Sequence, residues 1–313
     1  MTQYTDLCKP SVEIINYTEK APLLIAGSSK LTLSSKPIDV ILSEMDENEI
    51  RKWVVELIRR GHGTPLEHAI YSFEITCSRA CSHQLVRHRI ASYTQLSQRR
   101  GDKMLREVVL EAAKVLGVEP PPKPLKHSDY AEYVKVLESL SNSHVDWDTL
   151  ARVLCRGFII PPKALHSRDY VFLKELLYSL TSYYKALANG YTPEDARFLL
   201  PQAAKTRVYV TMNARELVEN FLPLRMCSHA QWEIRYIAWS LWRKLSKIHK
   251  VIFAYTGPRC VLLENRVRSI PCSLEDFLSG KCCFTITKCP ELVAREHIGE
   301  CLESASRDPW MSK

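Results

Sequence analysis

The sequence predicts an α/β fold of the α+β type, helix-rich, with helices flanking a central mixed or antiparallel sheet. Three observations predict it. Tyr71, Phe73, Ile75 and Cys77 alternate with Ser72, Glu74 and Thr76, the period of a half-buried strand. Val208, Val210 and Met212 repeat that alternation far along the chain. Most of the remaining apolar residues fall at helical spacing.

The elements follow in order. After a mixed N-terminal stretch, Asp46 to Arg60 reads as an amphipathic helix carrying Ile50, Trp53, Val54, Leu57 and Ile58, broken by His62-Gly63-Thr64-Pro65. Ser78 is the expected N-cap of a helix from Arg79 to about His88. Pro120, Pro121, Pro122 and Pro124 mark a loop, with helices expected near 128–141 and 148–156. Arg168 to Asn189 predicts a long apolar helix stopped by Gly190. Thr192-Pro193-Glu194-Asp195 opens another with a cap, a first-position proline and early acids, and Pro201 ends it. A helix from Ala214 leads to Arg225, with Pro223 interrupting its last turn. Ser228 is expected to cap a final long helix ending near Lys250.

The chain has 313 residues, 46% hydrophobic and 25% charged, ordinary values for a globular protein. No apolar run is long enough to cross a membrane, and MTQYTDLCKP lacks the layout of a signal peptide, so a cytoplasmic protein is expected. Glycine numbers only 10, about 3% against a usual ~7%. Neither standard glycine-rich phosphate loop is present, so a bound nucleotide would be gripped by side chains. A net charge of +8 favours anionic partners without choosing among them. Eleven cysteines with only 13 Asn and Gln together hint at a thermophile, where intracellular disulfides occur.

From Gly257 the composition changes: this stretch holds six of the eleven cysteines. The expected division is a main domain over 1–256 and a cysteine-rich extension over 257–313. Cys260, Cys272, Cys282, Cys283, Cys289 and Cys301 could bind zinc or form disulfides, but no paired C-x₂-C spacing occurs and no metal is expected. Cys77 and Cys81 are expected simply to pack.

The chemically informative stretch is Arg87 to Arg100, RHRIASYTQLSQRR, with four arginines, one histidine and no acid. Gln84 precedes it on the predicted helix, sharing a face with Arg87 and His88. Ser92, Gln95, Ser97, Gln98 and Arg99 then read as a loop. Guanidinium forks and hydroxyls around such a turn can bind phosphate without glycine. The plainer reading is a solvated basic helix end, or an electrostatic footprint for nucleic acid.

HGTPLEH, QLVRHRIASYTQLSQR, ARFLLP, TMNAREL and LRMCSHAQWEIR, in that order, resemble the flavin-dependent thymidylate synthases over about residues 46–250. Arginine-histidine-arginine, seven residues, then serine is that family's signature, and it fits from Arg87 to Ser97. The resemblance implies reductive methylation of dUMP to dTMP, with 5,10-methylenetetrahydrofolate as carbon donor. NADPH would supply the electrons through FAD, in a homotetramer with active sites between subunits. By motif position it implies that Gln84, Arg87, Gln95, Ser97, Gln98, Arg99, Arg197 and Arg225 hold dUMP. Thr64, Arg87, His88, Arg89, Gln95, Asn213, Arg215 and Asn220 would contact FAD, and His62 would lie in the folate and NADPH vicinity. Neither nucleic acid nor membrane is then an expected partner.

Three departures stand out. Gln95 replaces a common glutamate, Arg100 replaces a usual tyrosine, and one extra residue lies between Asn213 and Arg225. A member that binds flavin or nucleotide without methylating is the remaining alternative. Arg225 is the expected catalytic group, since a permanently charged planar fork beside the pyrimidine carbonyls would stabilise negative charge in the ring. The competing reading pairs Arg225 with Glu219 or Glu233. His88 could be a core histidine, yet burial between two arginines without an anionic partner is costly. Ser97 has no Ser-His-Asp surroundings, so it is expected to bond phosphate.

Overall fold

The computed structural model describes residues 5–311. Its sheet has four antiparallel strands, β1 (Ser11–Tyr17), β2 (Ile70–Ser78), β3 (Ala91–Gln95) and β4 (Lys205–Asn213), in the order β1-β2-β4-β3. The alternation expected in 71–77 holds, with Tyr71, Phe73, Ile75 and Cys77 all fully buried. Val208, Val210 and Met212 of β4 face the same way, and Phe73 pairs with Val210. That apolar face packs against the helices Ala21–Leu31, Glu47–Arg60 and Trp232–Ile248 in one core. Burial of each such large side chain contributes roughly 1.5–3 kcal/mol.

The capping residues at three helix starts act locally. Asp46 accepts from the Glu49 N–H at 2.8 Å, and Gly61, at φ +74°, ends the helix between them in a left-handed turn. Ser78 caps the Arg79–Leu85 helix through the Cys81 N–H at 3.0 Å. Thr192 caps Pro193–Ala196.

Other boundaries differ. The helix after Ser78 stops at Leu85, so Arg87 and His88 sit in a turn beyond it rather than on its face. Ser92 and Gln95 belong to strand β3, which pairs with β4 along its whole length. The long apolar helix spans Tyr170–Ala188, capped by Asp169. The last long helix spans Trp232–Ile248, and Gln231 rather than Ser228 caps it, its Oε1 accepting the Glu233 and Ile234 N–H groups.

A second core is all helical. Lys103–Leu116, Tyr130–Asn142, Trp147–Leu154 and Tyr170–Ala188 enclose Tyr133, Tyr183 and Tyr184, whose rings meet edge to face. The Cys8–Cys155 disulfide ties the N-terminal segment to this layer, realising the disulfide chemistry that the composition hinted at. Lys205 at the start of β4 reaches across to the Leu7 and Cys155 carbonyls, and burial lowers its pKa to about 8.

The segment beyond Gly257 packs onto the sheet core. Val261, Leu274, Phe277, Leu302 and Ala305 join the same apolar cluster as β2 and β4. Cys272 and Cys282 form a second disulfide, so Cys272 presents no thiol. Buried Glu264 accepts from the Thr285 and Ile286 N–H groups and from Arg268, fastening the loop beyond.

Candidate active site

The Arg79–Leu85 helix and the residues gathered along it form the centre of the site. Beyond its C-terminal end Arg225 points back, its Nη2 donating to the Gln84 carbonyl at 3.1 Å and its Nε to His88 Nε2 at 2.9 Å. A guanidinium only donates, so His88 Nε2 must accept and the ring hydrogen sits on Nδ1. Nδ1 faces Glu216 Oε1 at 3.0 Å, while the edge of Phe221 closes the side of the ring. His88 and Glu216 are 5% and 3% exposed, so this relay is dry. It answers the cost of burying His88 with an acid the sequence did not suggest.

Glu216 is fixed in turn. Its N–H donates to Asn213 Oδ1 at 2.8 Å, and its Oε2 accepts from Asn220 Nδ2 at 3.0 Å. The expected ion pairs of Arg225 with Glu219 or Glu233 do not form. Glu219 pairs with Arg215, and Glu233 is bonded to Ser78. Burial lowers the pKa of Arg225, an effect the nearby Cys81 and Tyr93 partly oppose.

The wide turn that brings Glu216 and Arg225 together is a π-helical segment, Glu216–Phe221, followed by Leu222–Arg225. A π-turn takes up one more residue than an α-turn, which fits the extra residue noted between Asn213 and Arg225. Pro223 follows it, where a missing N–H costs least.

The N-terminal end of the 79–85 helix is different. Arg99 Nη1 lies 3.8 Å from Glu194, and Arg197 Nε donates to the Glu194 carbonyl at 3.0 Å. Arg79, which no motif singles out in the sequence, is near Arg197. Burial and that like charge both lower its pKa. Among the described residues Arg79 has no carboxylate partner. Three guanidinium groups therefore gather here against a single carboxylate, that of Glu194, which only Arg99 approaches, an arrangement that attracts an anion. The Ser97 Oγ accepts the Arg99 N–H at 3.2 Å, leaving its hydroxyl hydrogen free to donate outward. Five residues at 1.5 Å rise separate Arg79 from Gln84, roughly 8 Å, about the reach from a nucleotide's phosphate to its base.

Gln95 lies between the two ends. Its amide donates to Ser82 Oγ at 3.0 Å and Thr206 Oγ1 at 3.1 Å. Both are donor roles that a glutamate at this position could not fill, so Gln95 suits its surroundings.

Residues assigned to the flavin fall in two groups. Asn213, Asn220 and His88 surround Glu216; each asparagine keeps part of its amide outside these bonds, while both ring nitrogens of His88 are taken by Glu216 and Arg225. Arg215 is held by Glu67 at 2.5 Å and Glu219 at 3.0 Å, beside Gly63, where a Cβ would lie 2.8 Å from the Glu219 carboxylate. Thr64 and His62 line a cleft of about 960 Å³ together with Trp53, Lys52, Arg60 and His68. Arg87 and Arg89 point to solvent without ion-pair partners among the described residues, and Gln98 is half-buried.

The molecule is an α+β protein with guanidinium groups at both ends of one short helix, a dry acid–histidine–arginine relay and a roomy cleft. The family model described as "Thymidylate synthase complementing protein" matches residues 13–249. A flavin-dependent thymidylate synthase of Aeropyrum pernix is 43% identical over 304 residues, covering 95% of this chain and 93% of the relative. One of Saccharolobus solfataricus is 36% identical over 296 residues, covering 93% and 95%. In fold, the chain resembles flavin-dependent thymidylate synthase ThyX of Helicobacter pylori complexed with FAD and dUMP, with a TM-score of 0.55 at 22% identity, covering 79% of this chain and 99% of that one. The chain belongs to the flavin-dependent thymidylate synthase family.

Proposed function

We propose that this chain converts dUMP to dTMP by reductive methylation at C5, with 5,10-methylenetetrahydrofolate as carbon donor and NADPH as reductant of FAD. The Glu216–His88–Arg225 relay is the observation that carries this reading. C5 of uracil is a poor nucleophile, and its reactivity rises when negative charge on the ring is stabilised. Arg225 uses Nε and one hydrogen of Nη2 on the protein, so its Nη1 edge is left to meet a pyrimidine carbonyl and N3. Because His88 and Glu216 fix the guanidinium plane beforehand, little reorganisation is needed as charge develops.

Arg197, Arg99, Arg79 and Ser97 would hold the phosphate at the other end of the helix, joined by Arg87, Gln84, Gln95 and Gln98 along the nucleotide. FAD, when bound, supplies the hydride transfer chemistry. Thr64, Arg89, Asn213, Arg215 and Asn220 would grip it, with Arg87, His88 and Gln95 nearby and His62 where folate and NADPH approach. The free guanidinium groups of Arg87 and Arg89 suit its pyrophosphate. Their outward aim also suits a homotetramer with sites shared between subunits. No helix among the described residues is long and apolar enough to cross a bilayer, in keeping with an enzyme working in the cytoplasm.

Purified protein should be yellow, bleach with NADPH, and release tritium from C5-labelled dUMP when the folate is added. A yellow protein that bleaches but releases no tritium would mark a flavin-binding member without methylation. A colourless one with steeply salt-dependent nucleic-acid affinity would overturn the reading altogether.

A further inference from the structure

Four cysteines outside any disulfide share one cavity where the C-terminal segment meets the catalytic core. Cys227 lies two residues beyond Arg225. Cys260 begins the Arg259–Val267 helix, Cys289 sits in a tight turn closed by its N–H to the Val293 carbonyl, and Cys301 lies on the Arg295–Ser306 helix. All four line the same space, with apolar Leu302 and Ala305 behind them. The molecule forms disulfides at Cys8–Cys155 and Cys272–Cys282, yet leaves these four as thiols. The family match ends at residue 249, so Cys260, Cys289 and Cys301 stand outside it.

We propose that Cys227, Cys260, Cys289 and Cys301 are the four thiolate ligands of an iron–sulfur cluster. The spacing selects this centre over a single zinc ion. Zinc bound at about 2.3 Å draws its four sulfurs to roughly 3.8 Å from one another. Among the described residues, the only trio of candidate ligand atoms within 4.8 Å of one another is Cys77, Cys81 and Glu233, elsewhere in the core. The four sulfurs thus stand wider than a zinc shell, around one shared cavity. A cluster, with irons and sulfides filling the middle, needs such a wider shell, and four cysteines are its usual ligand set.

The surroundings suit the charge such a centre carries. Arg235, anchored through Nη1 to the Ser228 carbonyl at 2.6 Å, lies close enough to Cys227 and Cys301 for their thiolates to raise its pKa against the lowering by burial. Ser228 Oγ is 2.9 Å from Cys301 Sγ, and hydrogen bonds to ligating sulfur tune such clusters. Burial, then the neighbouring Cys289, pushes the Cys260 thiol up to about 12, and burial raises Cys227 as well. Binding the cluster irons as thiolates would displace the thiol protons. The centre would pin the C-terminal segment two residues from Arg225.

Protein purified without oxygen should contain about four iron and four acid-labile sulfide per chain. Dithionite should then produce a fast-relaxing paramagnetic signal at low temperature, distinct from a flavin radical. Cys289→Ser and Cys260→Ser should each lose at least nine-tenths of the iron and sulfide, whereas Cys283→Ser, at an exposed cysteine outside the cavity, should keep both. Should the serine variants fail to fold, the wild-type iron and sulfide content still decides. One zinc per chain without sulfide would overturn the proposal. So would metal-free protein in which Cys227, Cys260, Cys289 and Cys301 titrate as thiols or are found in disulfides.

Discussion

The two ends of the Arg79–Leu85 helix handle positive charge in opposite ways. Beyond its C-terminal end one guanidinium is locked, with two of its donors directed by His88 and the Gln84 carbonyl and the whole relay dry. At its N-terminal end Arg79, Arg99 and Arg197 gather with one carboxylate among them, Glu194 beside Arg99, and Arg79 is half-buried without a carboxylate partner among the described residues. A direction is fixed at the first end and a charge density at the second. Stabilising charge in a ring depends on where donors point, while holding a phosphate dianion depends mainly on how much positive charge surrounds it. Variants at the first end should therefore change kcat, and variants at the second should change KM for dUMP.

The largest effect is expected at Arg225. Arg225→Ala should lower kcat by about 10²–10³-fold, the usual consequence of removing one preorganised charge stabiliser. Bound flavin, measured by absorbance per chain, should stay near wild type. If flavin content and turnover fall together, Arg225 is part of the cofactor's support and the directional assignment fails.

Glu216→Gln is next. The amide keeps the shape of the carboxylate and can still accept from His88 Nδ1, but the charge behind the relay disappears. We expect kcat to fall by roughly 10-fold, about 1.4 kcal/mol in the barrier, with KM for dUMP and thermal stability little changed. A matching rise in KM with kcat intact would place Glu216 in nucleotide binding instead. Arg79→Ala tests the other end. Loss of one charge-assisted contact of about 1.5 kcal/mol should raise KM for dUMP about 10-fold and flatten its salt dependence, leaving kcat at saturation nearly unaltered. No change in KM would remove Arg79 from the phosphate site.

Much of this architecture is legible in the sequence. The alternation in β2 and β4 is plain because each has one face fully buried. Strand β3 is hidden because Ala91–Gln95 is an edge strand, alternately half-buried and exposed, with little apolar signal; its pairing to β4 defines it. In β1, Val12 and Ile14 begin an alternation that an irregularity between Ile14 and Asn16 breaks. Ser228 and Gln231 are both plausible caps in one polar run, and only the geometry chooses. The arginines of the site are visible as a motif, but the acid behind them is not. A regular helix from Ala214 would set Glu216 and Arg225 on different faces. The extra residue in the π-turn rotates the succeeding residues by about 100° and brings both side chains to His88. Spacing also fails for the cysteines, because Cys227, Cys260, Cys289 and Cys301 converge from four separate elements.

Ser97 gives the smallest and most discriminating test. Its Oγ accepts the Arg99 N–H, so it both shapes the turn after β3 and offers a hydroxyl hydrogen outward. A nucleophile would need a base at hydrogen-bond distance, and among the described residues no histidine or carboxylate bonds Ser97. Ser97→Ala should therefore retain turnover. Loss of a neutral hydrogen bond of about 1 kcal/mol should raise KM for dUMP about 5-fold. Thr at this position keeps the hydroxyl, so Ser97→Thr should recover most of that affinity if the bond to phosphate is what matters. Abolished turnover in a folded, flavin-loaded Ser97→Ala protein would instead mean that the hydroxyl takes part in the chemistry. The division between a directional end and an electrostatic end would then no longer describe this site.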